Sequence, residues 1–178
     1  MTPQEVTKFW FEAGPERWFT RDAAFDGALA IRFGSALKAA RQGEYDHWGD
    51  TPEGALGLVL LLDQVSRNIH RGSPLAFAAD PKAQRLVKAW IGRGYHQQLP
   101  PAKAQWFLMP LEHAEDIDLQ QRCVALFQTM GQADLAHWAK LHLDIIARFG
   151  RFPHRNPILG RKSTAAEVAF LKAGGFAG

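Results

Sequence analysis

Apolar residues along this chain recur at three- and four-residue spacing, and the alternation expected of strands is absent. Leu86, Val87, Trp90 and Ile91 form one narrow stripe. Leu119, Cys123, Leu126, Phe127 and Met130 form a second, and Leu135, Trp138, His142, Ile145 and Phe149 a third. From Ala55 to Leu62 the pattern is apolar nearly all round, which predicts a central helix. Local signals fix several starts. Thr2-Pro3-Gln4-Glu5 and Thr164-Ala165-Ala166-Glu167 read as capping boxes, in which a hydroxyl and a glutamate satisfy each other's backbone N–H groups. Thr51-Pro52 and Asp80-Pro81 put a cap before a first-turn proline, and Ser73-Pro74 starts a short helix. Gly43, Gly94 and Gly174 lie where helices should stop.

These signals predict helices over roughly 3–12, 22–41, 52–71, 81–93, 101–113, 117–130, 133–149 and 165–173. Pro110 falls inside the fifth and should bend or break it. The expected architecture is all-α, about eight helices stacked as antiparallel hairpins through short connections. Helix pairs recur at about 34 residues, the period of a helical-hairpin array, without a recurring side-chain signature. No linker or low-complexity stretch interrupts residues 1–178, so a single helical domain is expected.

Composition narrows the class. The 178 residues are 47% hydrophobic and 22% charged, which excludes wholesale disorder. The single cysteine, Cys123, excludes an intramolecular disulfide framework and falls on an apolar stripe, where it should be inert. No apolar run is long enough to span a membrane, and the first residues do not read as a signal peptide, so a cytoplasmic protein is expected. The net charge of +3 is too small to argue for nucleic acid. Its distribution says more: Arg148, Arg151, Arg155, Arg161 and Lys162 share one stretch with no acid. Arginine is the side chain that binds carboxylate or phosphate in bidentate fashion. The early aromatic residues Phe9-Trp10-Phe11, Trp18-Phe19, Phe25 and Phe33 are expected in the core, with Trp10 or Trp18 as alternatives for a pocket mouth.

Three segments carry unusual polarity. At the end of the central helix, Asp63, Gln64, Arg67 and Asn68 follow at close spacing, Asp63 with Arg67 and Gln64 with Asn68 being helical neighbours. They read either as a buried network tying helices together or as a pocket wall. Glu112-His113-Ala114-Glu115-Asp116 crowds three carboxylates and an imidazole, an arrangement that needs a cation to offset mutual repulsion. The spacing fits neither a zinc-protease motif nor a calcium loop, so arginine is expected as that cation, with no metal and no cofactor. Arg67, Arg148, Arg151 or Arg155 would supply it. Asp116 also reads simply as the start of the next helix. The third segment runs from His142 through Arg148, Arg151, His154, Arg155 and Asn156 to the capping box at Thr164. Arginines, an imidazole and a helix start at this density suit an anion. The competing readings are a core histidine at 142, a surface Asp144–Arg148 pair, and a solvated basic loop.

Asp63-Gln64-x-x-Arg67-Asn68, Pro110-Leu111-Glu112-His113-x-Glu115-Asp116 and Arg148-Phe149-Gly150-Arg151-Phe152-Pro153-His154-Arg155-Asn156 occur in that order. With the early aromatic residues they resemble the bacterial family of unknown function DUF924 over nearly the whole chain. The resemblance implies an all-helical, tetratricopeptide-like superhelix and leaves the biochemical role open. The chain departs from the family pattern where Val65-Ser66 stands for Phe-Pro, His70 for Phe, and Ala114 for a small hydroxyl residue. Loss of the proline should let the helix run straighter through Ser66.

The functional expectation is that the three segments meet at a polar pocket for a small anionic molecule. The ligand-binding residues would be Asp63, Gln64, Arg67, Asn68, Glu115, Asp116, His142, Arg148, Arg151, Arg155 and Asn156. Glu112, His113 and His154 would serve as catalytic groups if hydrolysis or proton transfer takes place there. The alternative is a protein- or peptide-binding helical module without catalysis. The oligomeric state is open, a homodimer included.

Overall fold

A computed structural model describes residues 1–176, and every described element is helical. In chain order these are α1 (Pro3–Ala13), α2 (Pro15–Trp18), α3 (Ala23–Gln42), α4 (Pro52–Leu60), α5 (Ser66–Ile69), α6 (Asp80–Gly92), α7 (Tyr95–Gln98), α8 (Pro101–Glu112), α9 (Ile117–Thr129), α10 (Ala133–Phe149) and α11 (Ala165–Lys172). Short 3-10 turns cover Asp46–Asp50, Pro74–Phe77 and Pro153–Arg155, and a π-helical turn, Leu61–Val65, joins α4 to α5. Both capping boxes form, at Thr2 and Thr164. Asp116 caps α9, accepting from the amides of Asp118 and Leu119. Two four-residue helices, α2 and α7, were not expected; neither is long enough to show a period.

Three expectations about helix regularity and packing need correction. Pro110 does not break α8, which continues to Glu112. The central helix is not α-helical throughout: a π turn interrupts it immediately before Ser66. Trp138 is not a core residue. It is 53% exposed, and the stripe that α10 buries is Ala136, Ala139, His142, Ile145 and Ile146. The buried face of α10 thus carries small alanines and not the tryptophan.

The chain divides into two compact units. The first comprises Met1–Arg71 with Leu75–Pro110, the second Gly72–Pro74 with Leu111–Gly178. In the first, α4 is buried on all sides, as its sequence demands, and packs against α1. Gly57 permits that approach: a Cβ there would lie 2.6 Å from Pro3 Cβ and 2.9 Å from the Pro3 carbonyl oxygen. Trp106 packs edge to face on Trp10 and Trp18, which stack on each other, Trp18 donating its indole N–H to the Trp10 carbonyl at 2.8 Å. Burying rings of this size contributes about 1.5–3 kcal/mol each, and Trp10 and Trp106 are both fully buried. They are core residues. In the second unit, α9 and α10 pack as a hairpin. Ile145, Ile146 and Phe152 form a further buried cluster, onto which Phe149, Phe170 and Phe176 close.

Candidate functional site

The Asp63–Asn68 segment lies in the first unit and is tied up there. Arg67 Nη1 sits 2.8 Å from the Asp63 carboxylate, and the two Nη atoms contact Asp80 at 3.0 and 2.9 Å. Burial opposes the Arg67 charge, but the two carboxylates outweigh it and hold its pKa above the ordinary value. The Gln64 amide donates to Asp63 at 2.6 Å. Asn68 donates to Asp26 at 2.8 Å, and Arg71 grips the same carboxylate at 2.8 and 3.1 Å. This is the buried polar network weighed from the sequence. Asp26 and Asp80, its partners from α3 and α6, gave no signal beyond a helix-start position.

The other two segments belong to the second unit, and folding joins them. Glu115 is the joint. Its carboxylate accepts from the Phe152 amide at 2.8 Å and from both Nη atoms of Arg161 at 2.5 and 2.9 Å. Arg161 also donates through Nε to Asn156 Oδ1 at 2.9 Å, and Asn156, fully buried, donates to Ser163. Burial would raise the Glu115 pKa, but the Arg161 and Phe152 hydrogen bonds outweigh it and lower the value. The expected cation beside these carboxylates is therefore present: Arg161, which was not among the candidates, bonds Glu115 directly, and the charge of Arg155, which was, also lowers the Glu115 pKa. Arg161 was visible only as one member of the basic run.

Glu112 pairs with His142. His142 Nδ1 lies 2.9 Å from the Trp138 carbonyl and 3.3 Å from Glu112 Oε1. Burial lowers the His142 pKa, and nearby Arg155 adds to the effect although the Trp138 carbonyl opposes it. The contact with Glu112 is an ion pair only when the imidazole is protonated, a state that burial opposes. His154 stands close by. Burial first, then the charges of Arg155 and His142, push its pKa down to about 4. Arg155 is itself buried, its guanidinium 4.5 Å over the Phe152 ring. Cys123 is buried with its thiol pKa raised by that burial and by Glu112, so it is a poor nucleophile.

The arginine turn closes on the start of α11. Arg151 donates through Nε to Glu167 Oε1 at 2.7 Å and through Nη2 to Oε2 at 3.0 Å. Glu167 is the third residue of the α11 capping box. The Arg151 bond, assisted by the Thr164 amide, brings its pKa down to about 2 despite burial. The expected Asp144–Arg148 pair does not form. Asp144 pairs with Lys140 at 2.5 Å, and Arg148 instead lies 4.7 Å over Phe149 and 5.7 Å over Phe170. Arg148, Phe149, Arg151, Thr164, Ala166 and Glu167 line an open hollow of about 430 Å³. Thr164 and Glu167 were legible as a cap but not as part of a hollow, because their approach to Arg148 depends on the intervening turn.

A family model of a bacterial protein of unknown function, DUF924, matches residues 6–175. The chain belongs to the DUF924 family. A solved structure, that of the protein of unknown function ATU0120 from Agrobacterium tumefaciens, is similar with a TM-score of 0.91 and 43% identity, covering 96% of this chain and 97% of that one. No curated protein matches. Two positions where this chain departs from the DUF924 pattern have a structural consequence. Ser66 is buried and its hydroxyl accepts from Arg41 at 2.9 Å and reaches the Ala76 carbonyl at 3.2 Å, contacts that a proline could not make. His70 is partly buried, and burial, with the charge of Arg41, lowers its pKa. Among the described residues no group of three or more His, Cys, Asp or Glu is placed to hold a metal ion. Nor, among them, is any helix long and apolar enough to cross a membrane.

Proposed function

We propose that this DUF924 protein binds a small anion in the hollow between Arg148 and the start of α11. One observation carries the reading: two guanidinium groups and the first turn of a helix face the same open volume of about 430 Å³. The two arginines differ in role. Arg151 is committed to Glu167 and shapes the wall. Arg148 is held by ring stacking rather than by a carboxylate, which leaves its donors for a ligand. The first-turn amides of α11 add donors and the positive end of the helix dipole. Carboxylate and phosphate groups of low molecular weight suit this geometry. For chemistry in the second unit, Glu112 with His142, and His154, are the groups able to accept or pass a proton. The reading places the protein in the cytoplasm, in keeping with its lone, buried thiol.

Thermal shift with inorganic phosphate, sulfate, citrate and a nucleoside monophosphate tests this. A ligand at one hundred times its Kd stabilises the folded state by about 2.7 kcal/mol. Wild type should show a saturable rise in Tm with at least one of these probes, and Arg148→Ala should abolish it. Equal shifts in both proteins would refute the site. A second reading, a tetratricopeptide-like stack of helical hairpins that docks a protein or peptide, draws support from Trp138 and Leu141. These are 53% and 38% exposed and lie one turn apart on α10. Saturable peptide binding lost in Trp138→Ala but retained in Arg148→Ala would favour it.

A further inference from the structure

The chain beyond α11 folds back onto the second unit. Gly174 has φ of 81°, the left-handed conformation that a helix C-terminus commonly requires of glycine. Gly174 and Gly175 donate to the Leu171 and Phe170 carbonyls at 3.2 and 3.0 Å. A Cβ on Gly175 would lie 2.6 Å from both the Phe170 carbonyl oxygen and its ring Cζ, so the turn closes only around glycine. This turn delivers the Phe176 ring to a pair of imidazoles. Its centroid lies 4.6 Å from that of His142 and 5.4 Å from that of His154, edge to face in both cases. Phe152 also touches both, at 5.6 and 5.8 Å.

The two imidazoles are thus shared between two phenylalanines. They differ in their polar partners. His142 Nδ1 is bonded to the Trp138 carbonyl and Glu112. His154 Nδ1 is buried and finds no hydrogen-bond partner among the described residues. An arrangement that covers a polar nitrogen with an aromatic ring is costly, and such sites call for an explanation. The charged and titratable groups acting on His154 are Arg155 on its own turn, His142 from α10, Glu115 between α8 and α9, and His113 after α8. Only Glu115 among them favours a proton on His154, and Glu115 is held by Arg161.

We propose that Gly174–Phe176 is a releasable strap over the His142–His154 pair, and that protonation of His154 releases it. With the strap closed, a proton added to His154 faces the charge of Arg155, and the acid that favours it, Glu115, is already bonded to Arg161. With it open, solvent reaches both rings. The closed state therefore binds fewer protons than the open one, and falling pH favours opening. Opening exposes two imidazoles beside Glu112 and Arg155, a set capable of proton transfer to a bound acid or amide. This inference is independent of the anion hollow at Arg148 and stands or falls by its own test.

The test is carbethoxylation of histidines with diethyl pyrocarbonate at pH 7, resolved by peptide mass spectrometry. Exposed His47 serves as the internal reference. Phe176→Ala and, separately, Gly175→Ala should raise the rate at His142 and His154 by about tenfold relative to His47, as local opening becomes favourable. Unchanged rates in both folded variants would overturn the strap. Titration of wild type by NMR adds a readout that needs no variant. The Phe176 amide should lose order at the same midpoint as His154 protonates, and a Phe176 that stays ordered through that titration would overturn the pH coupling.

Discussion

Removing the carboxylate of Glu115 should unfasten the turn that carries the arginines. Three hydrogen bonds end on this one group, from the Phe152 amide and from both Nη atoms of Arg161. Hydrogen bonds to a charged partner are worth about 1.5–3 kcal/mol each in net stability. The Glu115 and Arg161 side chains are 24% and 23% exposed, so solvent screening trims the ionic part. Glu115→Ala should therefore cost about 2–4 kcal/mol, and Glu115→Gln, which keeps an acceptor for the amide, about half of that. Urea unfolding of the two single variants, of Arg161→Met and of the Glu115→Ala/Arg161→Met double variant closes a thermodynamic cycle. The expected coupling is about 1–2 kcal/mol. The pH dependence has a defined sign. Because folding lowers the Glu115 pKa, its contribution is complete above the ordinary carboxylate range and is lost as pH falls through the depressed value. Glu115→Gln should flatten that part of the stability profile. Additive single effects, within about 0.5 kcal/mol, would refute the idea that Glu115 and Arg161 act as one clamp.

Other outcomes follow from the same geometry. Arg67→Met takes the cation from between the buried carboxylates of Asp63 and Asp80 and should destabilise by about 3 kcal/mol or more in urea unfolding; a loss below about 1 kcal/mol would show that the network tolerates its absence. Gly57→Ala should destabilise by about 1–3 kcal/mol although alanine is the better helix former, because its methyl group meets the Pro3 backbone; a gain in Tm would contradict that packing. Folding lowers the His142 and His154 pKa values, so the unfolded chain binds more protons below about pH 6.5, the ordinary histidine value. Stability should fall as pH drops from about 6.5 towards 4, and His154→Gln should reduce the slope between pH 6.5 and 5, where the carboxylates of Glu115 and Glu167 remain ionised. An unaltered slope would remove His154 from that account.

The helices were legible because their signals are local. A capping box at Thr2 or Thr164 and a first-turn proline at Pro52 or Pro81 act through contacts within four residues, whatever the rest of the fold does. The π turn at Leu61–Val65 was not legible. A run that is apolar on every face carries no phase, so nothing in it marks an inserted residue. Trp138 misled for a related reason. Tryptophan is weighted as strongly apolar, yet the face that α10 buries carries the small alanines 136 and 139. At the candidate site, residue types were readable and partners were not. The crowding of Glu112, Glu115 and Asp116 announced a need for a cation and a cap. The second need is met locally, by Asp116 capping α9, whereas Arg161, which answers the first, lies 46 positions along the chain from Glu115. Glu167 shows the same limit: its cap is local and was foreseen, while its grip on Arg151 is not local and was not.

The anion reading is tested most directly by following backbone amide and arginine Nε–H resonances of the folded protein during titration with inorganic phosphate at constant ionic strength. The account predicts that Ala165, Ala166 and Arg148 Nε shift together along one saturable curve, and that Arg148→Ala abolishes the response while the remaining spectrum is preserved. Non-saturating shifts spread over the arginines and lysines of the surface, or a curve unchanged by Arg148→Ala, would contradict it.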